Sequence, residues 1–211
     1  MEKELKLAVS GWHVFRGERH VLNGLQFEAV SGRCVQVLGD NGAGKTTLLR
    51  SIAGLVPREA GELRWRSCSV REWAPFHAEL GYLGHDPPLK SDLTGRENLY
   101  FAVAVRRRVA RAELDAVLAR VGATGFADRL VRTLSAGQRR RIAFAALLAY
   151  RVPLWLLDEP TTHLDVGGCA LLRSLLIEHL DAEGVVLAAT HQDLGLPAER
   201  MQRLTLTGGR A

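Results

Sequence analysis

Apolar and polar residues alternate loosely from residue 5 to residue 30, and the alternation breaks at Arg16-Gly17-Glu18. A period of two with a glycine at the break predicts a pair of antiparallel strands. The next apolar run, Cys34-Val35-Gln36-Val37-Leu38, is short and β-branched and leads into a glycine-rich turn. A helical pattern follows from Thr46 to Ala53, closed by Gly54. Strand, loop and helix in that order form the unit that places an anion at a helix N-terminus. Residues 61–83 read as strand-like and irregular. From about Arg96 to Leu148 the period becomes helical and rich in Arg and Ala. Pro153-Leu154-Trp155-Leu156-Leu157 then predicts a buried strand, residues 167–181 a helix, and Val185-Val186-Leu187-Ala188-Ala189-Thr190 another buried strand. Short apolar runs alternating with helices imply a parallel sheet covered on both faces. The pattern therefore predicts an α/β core carrying a helical insertion.

The length of 211 residues suits one large domain. Hydrophobic residues make up 47% and charged residues 24%, which argues against long disorder. The charged start, Met1-Glu2-Lys3-Glu4-Leu5-Lys6, lacks an apolar h-region, so no secretory signal is expected. The longest apolar stretch, Ile142 to Leu157, is shorter than the ~20 residues that span a bilayer and is interrupted by Arg151 and Pro153. Cys34, Cys68 and Cys169 are scattered with no CxxC, and are expected to be small buried hydrophobes rather than disulfide or zinc ligands. The net charge of +5 includes the runs Arg106-Arg107-Arg108 and Arg139-Arg140-Arg141. Such runs can meet nucleic acid or acidic lipid. Without interleaved aromatics they read instead as solvated helix faces, phosphate-facing groups or partner contacts, and nucleic acid is not the expected partner.

Gly39-Asp40-Asn41-Gly42-Ala43-Gly44-Lys45-Thr46 fits GxxxxGK[ST] at every fixed position. Glycines let successive backbone N–H groups turn inward around phosphate oxygens. Lys45 adds a point charge for the β- and γ-phosphates, Thr46 a hydroxyl for Mg²⁺, and Thr47 a donor for an α-phosphate oxygen. The alternative, a glycine-rich turn with a surface lysine, lacks a reason for the strand before and the helix after. Downstream, Leu154-Trp155-Leu156-Leu157 runs into Asp158-Glu159-Pro160. Carboxylates at the end of a buried strand sit where open α/β sheets bind ligands. Asp158 is then the candidate to hold Mg²⁺ and Glu159 to polarise the attacking water. Taken alone the pair also fits a solvated turn; the phosphate loop upstream favours the site.

Leu134-Ser135-Ala136-Gly137-Gln138 precedes an Arg-rich helix, with Ser135 as a good N-cap and Gly137 permitting close backbone approach. With this segment the chain resembles the ATP-binding subunits of ABC transporters. The phosphate loop, the LSGGQ-like signature, the acidic strand end, Leu164-Asp165 and His191 occur in family order over essentially the whole chain. The resemblance implies an α/β fold of the P-loop NTPase, RecA-like type in a single domain, residues 1–211. Its core and an antiparallel β lobe would take residues 1–84 and 150–211, and a helical subdomain about 85–149. It implies ATP and Mg²⁺ as cofactors and ATP hydrolysis coupled to transport. Two copies would pair head to tail, the phosphate loop of one and Ser135, Ala136, Gly137 and Gln138 of the other enclosing each ATP. Asp165 would lie at the seam and His191 at the γ-phosphate. Phe15 is the candidate to stack on adenine, with Trp12 a second choice; Phe15 also fits a core aromatic of the β lobe.

Two positions depart from the family pattern. Ala136 stands where Gly is commoner, and its methyl should fit if φ is negative. His85, in Tyr82-Leu83-Gly84-His85, stands where Gln is usual. Neutral imidazole can accept from water or a metal-bound water as an amide does, but it titrates near ~6.5. His85 is accordingly a candidate catalytic and Mg²⁺-side residue linking nucleotide to a membrane partner, against the plain reading of a loop histidine. Asp86-Pro87-Pro88-Leu89 has exposed-turn chemistry, which makes residues 85–101 a candidate membrane-facing surface.

Gly84-His85, the Arg run after the signature, Pro153 to Pro160 and Thr190-His191-Gln192-Asp193-Leu194 are similar to the haem-exporter ATPases of cytochrome c maturation. That similarity implies small integral membrane partners and a peripheral position on the cytoplasmic face of the inner membrane. It also implies work in haem export without direct haem binding, since no CxxCH occurs. Thr161-Thr162-His163-Leu164-Asp165 instead follows the general family version of its loop.

Overall fold

The computed structural model describes residues 6–207. The alternation at the start produces β1 (Lys6–Arg16) and β2 (Arg19–Val30), joined by a turn through Gly17. They pair antiparallel from Lys6↔Val30 to Arg16↔Arg19, with a register shift between Val9 and Trp12. Gly11, at φ 54°, lies in that shift. The extra residue moves the inward face from odd to even positions, so that Leu7, Val9, Trp12 and Val14 are all buried. β4 (Ala60–Trp65) and β5 (Cys68–Ser69) complete a four-stranded antiparallel sheet in the order β2-β1-β4-β5.

The second sheet is parallel. It contains β3 (Cys34–Leu38), β6 (Leu80–Leu83), β7 (Leu154–Asp158), β8 (Val185–Ala189) and β9 (Met201–Thr205), in the order β6-β7-β8-β3-β9. Successive residues of a buried strand feed opposite faces. Leu154 and Leu156 join the core shared with α1 (Lys45–Ile52) and the antiparallel sheet. Trp155 and Leu157 join the core shared with α3 (Gly95–Ala104), α4 (Arg111–Arg120), α5 (Ala136–Tyr150) and α6 (Val166–Asp181). The α/β architecture expected from the hydropathy pattern is therefore present, with helices on one face of the parallel sheet and α1 with the β lobe on the other. Among the described residues no helix is long and apolar enough to cross a membrane.

Several local expectations are corrected. Residues 61–83 are not all strand: Trp73–Ala78 forms a short helix, α2, between β5 and β6. Six residues with Pro75 inside give no readable period. Only Cys34 is a buried cysteine; Cys68 is exposed and Cys169 half-buried. The arginine runs are only in part solvated faces: Arg106 and Arg108 are exposed, yet Arg106 and Arg107 also make specific contacts. Arg106 donates to the carbonyls of His77 and Leu80 and lies over the Tyr150 ring. Arg107 donates to the carbonyl of Ala149 and pairs with Glu113. These two pin the end of α3 to the sheet and to α5.

Candidate functional site

All strands of the parallel sheet run the same way, so their carboxyl ends share one edge. That edge gathers the loop after β3 (residues 39–44), Gly84-His85 after β6, Asp158-Glu159 after β7 and Thr190-His191 after β8. Four segments far apart in sequence thus meet because four parallel strands end together.

The phosphate loop needs glycine at two points in particular. Gly39 has φ 144°, and a Cβ there would meet the Leu206 carbonyl oxygen at 2.6 Å. Gly44 has φ 106°, and a Cβ there would meet Cγ1 of Val21 at 2.8 Å. The Ala43 amide donates to the Asp40 carbonyl (3.0 Å), and helix α1 begins at Lys45 with its N–H groups facing the loop. Lys45 is buried, and its Nζ donates to the carbonyls of Gly39 (2.6 Å) and Asp40 (3.1 Å). The ammonium is held inside the loop by these two carbonyls.

Thr46 Oγ1 donates to Asp158 Oδ1 (3.0 Å), while Asp158 Oδ2 is buried without a partner. Burial raises the Asp158 carboxyl above the ordinary carboxylate range, opposed by the Thr46 hydrogen bond and by the nearby Arg50. A buried carboxylate with one orphaned oxygen beside a hydroxyl is a donor set that fits a hard divalent cation.

Glu159 has φ 46°, a left-handed conformation costly for a residue with a Cβ. Its amide donates to the Ala189 carbonyl (2.8 Å), tying it to the end of β8. A cavity of about 660 Å³ brings Glu159 and His85 together with Asn41, Gly42, Gly44, Lys45, Thr46 and Thr47. Arg16 and Arg19 also line it, and Arg19 donates to the Gly42 carbonyl (3.4 Å). These two cations from the β1–β2 turn escape the sequence reading; the arginines on either side of Gly17-Glu18 were the available signal.

Phe15 is 43% exposed and stacks on His20, with ring centroids 4.1 Å apart and planes within 7°. His20 Nε2 lies 3.0 Å from His13 Nδ1. Trp12 does not fit the adenine role: it is fully buried, and its Nε1 donates to Ser51 Oγ (2.9 Å). The bulge at Gly11 turns it inward.

His191 is exposed beyond β8, within a turn held by Gln36, which donates to the carbonyls of Thr190 and Gln192. His85 is exposed, with Nδ1 3.5 Å from Asp86 Oδ1. Its ring faces that of His163 edge-on at 6.4 Å.

Ser135, Ala136, Gly137 and Gln138 line a different cavity, about 720 Å³, together with His163, Leu164 and Asp165. Ser135 caps α5 reciprocally with Gln138: its oxygen accepts from the Gln138 amide (3.2 Å), and Gln138 Oε1 accepts from the Ser135 amide (2.9 Å). Ala136 is the first helical residue of α5 and not in the left-handed region, so its methyl causes no backbone strain. Asp165 caps α6, accepting from the Gly168 amide (2.6 Å).

Arg140 is a further functional candidate that sequence reading missed. It sits in the run after the signature, yet is buried, at 2% exposure. Its guanidinium donates to five backbone carbonyls: Gly84 (2.7 Å), His85 (3.0 Å), Asp158 (3.0 Å), Glu159 (2.5 Å) and Pro160 (3.3 Å). Burial pulls its pKa down to about 10, so the group stays cationic at neutral pH. Its spacing was the missed signal, since Arg140 shares a helical face with Phe144 and Leu147.

The sequence profile of the ABC transporter family matches residues 22–162. The cytochrome c biogenesis ATP-binding export protein CcmA of Methylococcus capsulatus is 47% identical over 190 residues, 89% of this chain and 92% of that protein. The protein of the same name from Yersinia pestis is 43% identical over 192 residues, 90% of this chain and 88% of that one. A solved structure from Pyrococcus furiosus, described as an ABC transporter ATP-binding protein, superposes with a TM-score of 0.81 at 21% identity, covering 95% of this chain and 97% of that chain. That last likeness supports the fold.

Proposed function

The chain belongs to the ABC transporter family, within it to the cytochrome c biogenesis ATP-binding export proteins, and is an ATPase; from this we propose that it is the motor of a haem-export complex, working as a head-to-tail dimer. The observation that carries the dimer is the separation of two half-sites. The phosphate loop, Glu159 and His85 line one cavity, and the signature with Asp165 lines another. In this reading the signature, which lines a cavity apart from its own phosphate loop, serves the nucleotide of another copy.

In this reading Lys45 and the amides of residues 39–47 hold the phosphates of ATP, and Phe15 stacks on adenine. The partner's Ser135, Ala136, Gly137 and Gln138 close over the γ-phosphate, with Asp165 at the seam. Glu159 takes a proton from the attacking water, and His191 donates to the γ-phosphate. Mg²⁺, held by Thr46 and Asp158 with His85 on its outer side, would neutralise charge on the phosphates. Once the two chains close, these donors face the phosphates where charge develops.

The membrane partner docks beside His85. Tyr100, Phe101 and Val105 of α3 and its C-terminal end are 47%, 52% and 83% exposed, an apolar group that water does not favour. The chain then lies peripherally on the cytoplasmic face of the inner membrane. Purified from membranes, it is expected to bring an integral membrane protein with it. Deleting its gene is expected to stop maturation of c-type cytochromes, restored by the wild-type gene and not by Glu159→Gln. Normal cytochrome levels in the deletion strain would overturn the haem-export reading.

His85→Ala is expected to lower partner-stimulated ATP turnover by about 10–100-fold, the range for losing an outer-shell partner of a metal site. ATP binding should change little. Unaltered stimulation would make His85 a loop residue without a role.

A further inference from the structure

Beyond the last rung of the β6–β7 ladder, Leu83↔Leu157, the two chains part and leave backbone carbonyls pointing into protein. A buried carbonyl needs a donor. Here one side chain supplies donors to both segments. Arg guanidinium has five N–H groups in a rigid planar fork. All five of Arg140's contacts are backbone carbonyls, two from the His85 segment and three from the Glu159 segment. We propose that Arg140 is a positioning residue that fixes the Glu159 and His85 segments to helix α5, so that the signature tip given to one nucleotide is rigidly tied to the catalytic carboxylate serving the other. This rests on the roles proposed above for Glu159 and the signature.

Two features support a role in catalysis rather than simple packing. Glu159 sits at φ 46°, and such a conformation persists only where the surroundings over-determine it. The Glu159 amide is held by Ala189, and its carbonyl accepts from both the Thr162 amide and Arg140. Removing the strongest of these donors lets the backbone relax and re-aims the carboxylate. Second, Arg140 lies two positions after Gln138, the last signature residue, on the same rigid helix. A displacement of the α5 tip therefore reaches Glu159 and His85 through one guanidinium.

The test uses the full chain in complex with its membrane subunits, comparing wild type, Arg140→Gln, Arg140→Lys and Glu159→Gln. Arg140→Gln is expected to lower kcat by about 10–100-fold, the range for a misplacement of about 1 Å near the reacting atoms. KM should stay within about threefold, since the phosphate loop is untouched. Arg140→Lys keeps the charge and up to three donors, and should recover part of the loss in kcat. If Arg140→Gln does not fold, Arg140→Lys against wild type carries the comparison, with a kcat below wild type expected. Wild-type kcat per folded molecule in the glutamine variant, or in the lysine variant where the glutamine variant does not fold, or a change confined to KM, would overturn the proposal. Normal turnover by Glu159→Gln would instead overturn the role of Glu159 on which it rests.

Discussion

Glu159→Gln is expected to lower ATP turnover by about 10²–10⁴-fold while leaving ATP bound, the range for loss of a positioned general base. The amide has nearly the same shape, so the Glu159 amide can keep its bond to Ala189 and Arg140 its bond to the Glu159 carbonyl. What is lost is the carboxylate proposed to accept the proton from water. ATP is then held without being split, and two chains remain closed over two nucleotides. The check is a single-turnover hydrolysis assay alongside the molar mass in solution with ATP and Mg²⁺. A stable dimer that retains ATP is expected. Hydrolysis at the wild-type rate would remove Glu159 as the base.

Lys45→Ala is expected to fail earlier, at binding. The ammonium rests on the Gly39 and Asp40 carbonyls and is proposed to hold two phosphate groups. Hydrogen bonds to a charged group contribute about 1.5–3 kcal/mol each. Two of them correspond to about 10²–10⁴-fold in affinity. Titration with a fluorescent ATP analogue measures this directly, and a melting curve controls for the two carbonyls left without a donor. Affinity within about threefold of wild type would mean that Lys45 contributes little to phosphate binding. The two variants separate cleanly: Lys45→Ala should not dimerise with ATP, whereas Glu159→Gln should do so more durably than wild type.

Much of the fold was readable because its core strands are short and continuously apolar. Val185 to Ala189 is buried at every position, as is Leu154 to Asp158, and both were visible as strands from sequence. The phosphate loop was readable because its chemistry permits few residues; Gly39 and Gly44 have no room for a side chain. What escaped depended on tertiary context. Trp12 belonged to an alternating pattern that could place it on either face, and one inserted residue at Gly11 decided for the inside. Helix α2 was too short to show a period. Arg140 looked like one of three equivalent cations, yet Arg139 donates to Leu134, Arg141 to Val121, and only Arg140 reaches the strand ends. A run of like residues on a helix points in three directions, because each step rotates by about 100°.

The measurement that bears most directly on the dimer is a structure of Glu159→Gln with ATP and Mg²⁺ bound. Ser135 and Gly137 of one chain are predicted within hydrogen-bonding reach of the γ-phosphate held by Lys45 of its partner. A closed, ATP-loaded assembly with residues 135–138 facing solvent, or facing the phosphate loop of their own chain, would contradict the head-to-tail arrangement.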